Sequence, residues 1–196
     1  MRLVLLLLLT FPLVAQTISF DAVVKDVVEE RLRRSVKGGK NGNPHRLAAL
    51  RQVFEEVQCC GEYLQEQKVS GSKLPNLICI LPGESQDKIY VGAHYDAVDA
   101  GAGVVDNWSG ASLLPSLYHS LKMKKNLRHT FVFLGFTDEE KGLIGSRYHA
   151  RKLTKDDVQS IHAMVNIDAV GITPTKIWTS HADKCFCSGS SPWVIR

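Results

Sequence analysis

Four segments of the sequence place a histidine or an acidic side chain directly after apolar residues. Imidazole and carboxylate groups bind divalent metal ions and exchange protons near neutral pH. The residues concerned are His94 and Asp96, Asp106, the consecutive acids Asp138, Glu139 and Glu140, and Asp168. Their types point to metal-assisted hydrolysis, provided that the fold brings them together.

The first segment is a strand-like run at residues 89–93, followed by His94 and, two positions later, Asp96. Residues two apart face the same side of an extended chain. Asp96 is therefore expected to steady the His94 ring while the other ring nitrogen meets a metal. On its own, the pair also fits a surface or capping interaction without metal.

The second segment is a glycine-rich loop that carries Asp106 ahead of a helical pattern. An isolated Asp in such a loop commonly caps the helix or forms an Asx turn. Here Ser109 is well placed to cap the helix, which would leave Asp106 free to face a site.

The remaining acids follow two further apolar runs. Like charges as close as those at residues 138–140 raise one another's pKa unless a cation lies among them, so this cluster is either solvated or metal-bound. In a zinc hydrolase, one of two neighbouring carboxylates binds metal and the other accepts a proton from the bound water. A lone buried Asp168 would need either a basic partner or a metal.

The segments between these residues alternate between strand and helix patterns, which predicts an α/β fold. Strand-like runs occupy residues 77–81, 89–93, 131–136 and 163–167, and helical patterns occupy residues 18–36, 46–57, 109–123 and 143–153. We expect three layers, with helices on both faces of a mostly parallel, mixed sheet. Pro115 predicts a kink or an early break in its helix.

Ligands of such sheets bind beyond the carboxyl ends of the strands. Four successive strand ends would therefore deliver a histidine, two aspartates and a pair of glutamates to one edge. This set fits a carboxylate-rich zinc centre with one or two ions and room for water, and does not fit a closed site of thiolates.

Length and composition predict one globular domain. The chain has 196 residues, of which 44% are hydrophobic and 22% charged, with a net charge of +4. Its two basic clusters, near residues 31–40 and 122–128, lack interleaved aromatics and are interpreted as solvated surfaces, so no nucleic-acid partner is expected.

The first 15 residues are typical of a signal peptide, with an uncleaved anchor as the alternative, and residues 16–196 form the predicted domain. The protein is thus expected to be secreted, periplasmic or extracellular, with no membrane span after cleavage. Its five cysteines are expected to be buried or disulfide-bonded thiols, and their odd number leaves at least one without a partner inside the chain.

The motifs in this order resemble the zinc exopeptidase family of bacterial leucyl aminopeptidase and aminopeptidase Y, which also includes glutaminyl cyclases. The motifs are GAHYD at residues 92–96, DNWSG at 106–110, TDEE at 137–140 and NID at 166–168. The resemblance implies that His94, Asp106 and Asp168 hold one zinc ion and that Asp106 bridges to a second, bound by Glu140. It also implies Glu139 as the general base and Asp96 as the residue that orients His94.

Members of this family carry a final histidine ligand well downstream of Asp168, within a further strand-rich segment. His181 follows Asp168 in a segment that is itself strand-like. The resemblance therefore implies a domain that is incomplete at its C-terminus, with a second zinc site that lacks one ligand.

The implied function is that of a zinc-dependent aminopeptidase, which hydrolyses the first peptide bond of peptides and proteins with a free N-terminus. Two alternatives stay open at this point. One is a glutaminyl-peptide cyclotransferase, and the other is an ectodomain that keeps the fold without the chemistry.

Overall fold

A mixed sheet forms the centre of the protein. The computed structural model describes residues 30–34, 39 and 42–170, together with the backbone of 177–179 and 193–195. The strands are β1 (Leu64–Gln67), β2 (Asn76–Leu81), β3 (Lys88–His94), β4 (Thr130–Phe136), β5 (Ile161–Ile167), β6 (Ile177–Thr179) and β7 (Trp193–Ile195). The helices are α1 (Asn43–Glu56), α2 (Ser109–Lys122), α3 (Ile144–Lys152) and α4 (Lys155–Ser160).

The strand order across the sheet is β1-β2-β4-β3-β5-β7-β6. At its centre β3 runs parallel to both β4 and β5, whereas β1, β2 and β6 each pair antiparallel with a neighbour. His94 pairs with Phe136 in the register of β3 and β4. The carboxyl ends of the three central strands therefore meet at one edge, and the predicted α/β class is confirmed.

Two apolar clusters lie on opposite faces of the sheet, because successive side chains of a strand point to opposite sides. On one face, α1 and α2 pack Leu50, Phe54 and Leu114 against Ala93 and Phe133. On the other face, Tyr90, Val132, Leu134 and Phe136 form a second cluster, and Leu153 at the end of α3 packs against it. The result is the predicted arrangement of three layers.

The expected early break at Pro115 is wrong, because α2 continues from Ser109 to Lys122 with Pro115 inside it. A proline within a helix removes one backbone hydrogen bond, at a cost of about 3 kcal/mol. Buried side chains on both sides of it, Leu114 and Tyr118 among them, hold the helix against the sheet. Tertiary packing therefore outweighs the local preference.

The expectation that the basic segment near residues 31–40 is solvated fails at Arg31. Its side chain is 5% exposed, and Nη1 donates a hydrogen bond of 2.7 Å to Ser116 Oγ. The indole Nε1 of Trp108 donates to the Arg31 carbonyl at 3.0 Å. Residues 30–34 thus pack on α2, while the rest of the predicted helix at 18–36 lies outside the described residues.

A disulfide joins Cys59, just after α1, to Cys79 in β2, whereas Cys60 is an exposed free thiol. Cys185 and Cys187 lie outside the described residues, as does the predicted signal peptide at 1–15. Among the helices that the structure describes, none has the length and apolar character needed to cross a bilayer.

Removing the disulfide should destabilise the fold. The bridge joins residues 20 positions apart. Closing a loop of this size stabilises the fold by about 3 kcal/mol, because the bridge lowers the conformational entropy of the unfolded chain. We expect the double variant Cys59→Ala/Cys79→Ala to lose about this much unfolding free energy in urea titrations. Cys60→Ala is the control and should match the unsubstituted protein, and an unchanged urea midpoint in the double variant would contradict the assignment.

His149 in α3 is a buried histidine beside the second apolar cluster. Its ring lies 5.8 Å from that of Tyr90 and 6.3 Å from that of Phe136, measured between centroids. Nδ1 contacts Gln67 Oε1 at 3.1 Å, whereas Nε2 is buried without a hydrogen-bond partner among the described residues. Burial lowers the pKa of His149 from 6.5 to about 4.

Stability should therefore depend on this ring at acidic pH. A lowered pKa in the folded state means that the unfolded chain binds the proton more tightly. The unfolding free energy is therefore unaffected by this histidine above pH 6.5 and falls as the pH drops toward 4. The loss attributable to His149 is about 3 kcal/mol at pH 4. His149→Phe should remove this part of the pH dependence, measured by urea titrations at several pH values. His45→Phe, at an exposed position of α1, is the control and should keep this pH dependence. The same change of unfolding free energy with pH in all three proteins would contradict the account.

Candidate metal centre

Three acidic side chains converge on one ring nitrogen of His94, the last residue of β3. The Nε2 atom lies 3.0 Å from Asp106 Oδ1 and 3.8 Å from both Asp168 Oδ1 and Glu139 Oε2. The other nitrogen, Nδ1, contacts the backbone carbonyl of Asp96 at 3.1 Å. One nitrogen is thus held by the backbone, and the other faces the acids.

His94, Asp106 and Asp168 form the group most suited to a metal ion. Their potential ligand atoms all lie within 4.8 Å of one another. One imidazole and two carboxylates are a donor set that zinc accepts. The side chain of His94 is 4% exposed, that of Asp168 17% and that of Asp106 61%, so the group opens to solvent on the Asp106 side.

The charges and burial of the cluster shift the pKa values of its side chains. Burial by itself would lower the pKa of His94, but hydrogen bonds to Asp106, Asp168 and Asp96 raise it to about 12. Burial and neighbouring aspartates raise the pKa of Glu139, opposed by His94. The acids thus favour a positive charge among them, which either a protonated His94 or a bound metal ion would supply.

Glu139 and Glu140 occupy the turn after β4, and the third acid of the run has a different role. Asp138 is 4% exposed and accepts a hydrogen bond of 2.8 Å from Lys141 Nζ. Glu140 is not one of the three converging ligands, although burial and the charge of Asp106 raise its pKa. His181 lies outside the described residues.

Asp96 links the end of β3 to this turn. Its carboxylate accepts hydrogen bonds from the backbone amides of Glu139 at 3.0 Å and Glu140 at 3.3 Å, and the side chain is 1% exposed. The same carboxylate approaches His94 Nδ1 to 3.5 Å. Asp96 therefore holds the Glu139 turn in place in addition to lying beside the His94 ring.

Asn107 ties the Asp106 loop to the end of β5, a role that the sequence analysis missed. Its Oδ1 accepts from the amides of Gly110 at 3.0 Å and Ala169 at 3.1 Å, and its Nδ2 donates to Ile167 O at 2.9 Å. The expected capping by Ser109 is wrong, because Ser109 Oγ donates back to Val105 O at 2.6 Å. The sequence could have predicted this role, because an Asn just before a helix commonly accepts a hydrogen bond from a backbone amide of the first helical turn.

Residues 76–190 match the family model described as peptidase family M28. The chain belongs to peptidase family M28. The match includes all the residues of the converging cluster.

Among M28 relatives, a probable leucine aminopeptidase of Trichophyton verrucosum is 30% identical over 142 residues. The match spans 62% of this chain and 36% of the relative's length. The chain thus covers little more than a third of that protein.

Solved structures with the same fold include a glutaminyl cyclase from an Acidobacteriales bacterium, with a TM-score of 0.63 and 17% identity over 79% of this chain and 60% of that one. The LapA aminopeptidase of Legionella pneumophila superposes with a TM-score of 0.56 and 18% identity, over 81% of this chain and 43% of that one. At such identities these likenesses establish the M28 fold alone.

The hydrogen bonds of Asn107 should matter for both stability and metal affinity. Asn107→Ala leaves two buried backbone groups and a partly buried one without their partner, which is expected to cost roughly 3 kcal/mol of unfolding free energy. Zinc affinity, measured by competition with a chromogenic chelator, should fall by at least about tenfold. Asn126→Gly, at an exposed turn with a φ of 60°, is the control and should change neither quantity. Unaltered zinc affinity in Asn107→Ala would show that the loop needs no such tie.

Proposed function

We propose that this chain carries the metal centre and the general base of a zinc-dependent aminopeptidase. The observation that supports the proposal most strongly is the convergence of Asp106, Asp168 and Glu139 on Nε2 of His94. Family membership supports a peptidase, and the named relative is a probable leucine aminopeptidase.

In this proposal His94, Asp106 and Asp168 hold one zinc ion. Asp106, together with Glu140, would also hold a second ion. When bound, zinc lowers the pKa of a water molecule and polarises the carbonyl of the scissile bond.

Glu139 is the proposed general base. Its side chain is 32% exposed, so it reaches both the solvent and the cluster, and its Oε2 lies 3.8 Å from His94 Nε2. A pKa raised by burial makes this carboxylate a better proton acceptor. Glu139 takes the proton of the attacking water, and the water oxygen bonds to the carbonyl carbon. As the carbon–nitrogen bond breaks, Glu139 gives the proton to the leaving amine.

The proposed substrates are peptides and proteins with a free N-terminus. Family membership and the named relative, a probable leucine aminopeptidase, support this substrate class.

Export is part of the proposal. We propose that residues 1–15 are a signal peptide and that residues 16–196 belong to the peptidase domain. The disulfide between Cys59 and Cys79 supports an oxidising compartment, where such bridges persist.

Replacing the proposed base should separate catalysis from metal binding. Glu139→Gln keeps the shape of the side chain but cannot accept the proton, so hydrolysis of an aminoacyl anilide should fall about 10²–10⁴-fold. Bound zinc, measured by elemental analysis, should stay at the level of the unsubstituted protein. The control is Glu62→Gln, at an exposed position outside the site, with expected full activity.

Persistent hydrolysis by Glu139→Gln would refute the assignment of the base. The same preparations should be assayed for cyclisation of an N-terminal glutaminyl peptide, since the M28 fold is shared with glutaminyl cyclases. Cyclisation without hydrolysis would identify a cyclotransferase instead. Well-folded protein without zinc would favour a non-catalytic ectodomain.

A further inference from the structure

Arg46 of α1 is a fully buried cation beneath the metal centre. Its exposed fraction is 0%, and its guanidinium is bound to two backbone carbonyls. Nε donates to Tyr95 O at 2.5 Å, and Nη2 donates to Gly103 O at 2.9 Å. The guanidinium carbon also lies 5.3 Å from the ring centroid of Trp108. Burying a cation is costly unless its partners offset the loss of water, so this arrangement calls for a reason.

The two carbonyls belong to the segments that carry metal ligands. Tyr95 directly follows His94, and Gly103 lies in the loop that leads to Asp106. Arg46 therefore spans the gap between the end of β3 and this loop. Because the fork of a guanidinium is planar and rigid, its two hydrogen bonds define both a distance and a direction.

The same face of α1 supplies a second pair of contacts to this segment. Asn43, three positions before Arg46, accepts a hydrogen bond of 3.1 Å from the amide of Ala97 and donates one of 3.2 Å to its carbonyl. The segment of residues 95–103 is thus bound to α1 through both Asn43 and Arg46.

Gly103 shows how closely the loop approaches the arginine. Its φ is +61°, and a Cβ there would lie 2.6 Å from Ala97 Cβ and 3.1 Å from Arg46 Nη1. The loop can therefore take this path only without a side chain at residue 103.

Charge complements the geometry. Although burial lowers the pKa of Arg46 to about 10, the charges of Asp96 and Asp106 oppose that effect. The guanidinium consequently stays protonated near neutral pH and offsets part of the repulsion among the acids. It cannot bind a metal ion itself, because it has no acceptor atom.

We propose that Arg46 is a positioning residue for the metal centre, whose two hydrogen bonds set the spacing between the strand end that carries His94 and the loop that carries Asp106. The inference rests on the proposed function, because it presumes that these residues bind zinc. Residues that orient metal ligands typically contribute a factor of about 10–100 to metal affinity.

The test compares Arg46→Met and Arg46→Lys with a control on the same helix, Arg51→Met, whose guanidinium forms ion pairs with Glu55 and Glu66. Zinc affinity is measured on the purified proteins by chelator competition, and the visible spectrum of the cobalt(II) forms reports ligand geometry. We expect both Arg46 variants to bind zinc about 10–100-fold more weakly, with altered cobalt bands, and Arg51→Met to be unchanged.

A purely structural role would give a different result. In that case the metal-free Arg46 variants would melt at lower temperature, yet their zinc affinity and cobalt spectra would match the unsubstituted protein, and the proposal would be overturned. If Arg46→Met does not fold, Arg46→Lys decides, because lysine keeps the charge and the aliphatic stem but lacks the fork. Failure of the unsubstituted protein to bind zinc would overturn the proposed function as well, whereas normal zinc binding in Arg46→Lys refutes only the positioning role.

Discussion

Acidic side chains that lie close together repel one another unless a positive charge lies among them. In this protein Asp106, Asp168 and Glu139 meet within 3.8 Å of a single nitrogen of His94. Much of the surrounding structure serves to hold that arrangement. Parallel pairing of β3 with β4 and β5 brings the strand ends together. Hydrogen bonds that Asp96 and Asn107 accept from backbone amides fix the loops that follow.

Three side chains that are not among the proposed metal ligands link the segments of the site. Asn107 joins the Asp106 loop to β5, Asp96 joins β3 to the turn of Glu139, and Arg46 joins β3 to the Asp106 loop. Each link ties two different segments to one another. The cluster opens to solvent at Asp106, whose side chain is 61% exposed.

The sequence was sufficient to predict the central strands and the acids at their ends, because an apolar run that stops at a polar residue marks a strand end in an α/β fold. It was insufficient for contacts between distant segments. The hydrogen bond from Arg46 to Gly103 spans 57 positions, and nothing local distinguishes Arg46 from an exposed arginine on an amphipathic helix. The early break considered at Pro115 does not occur for a related reason, because burial of α2 against the sheet outweighs a local helix-breaking preference.

The central claim is that this cluster of nitrogen and oxygen ligands binds zinc. X-ray absorption at the zinc edge of the zinc-loaded protein tests it most directly, since zinc lies about 2.0–2.2 Å from nitrogen and oxygen ligands and about 2.3 Å from sulfur. We predict a first shell of nitrogen and oxygen alone, with the multiple-scattering signature of one histidine from the His94 site. A sulfur shell, which would indicate zinc held by cysteines instead, would contradict the account.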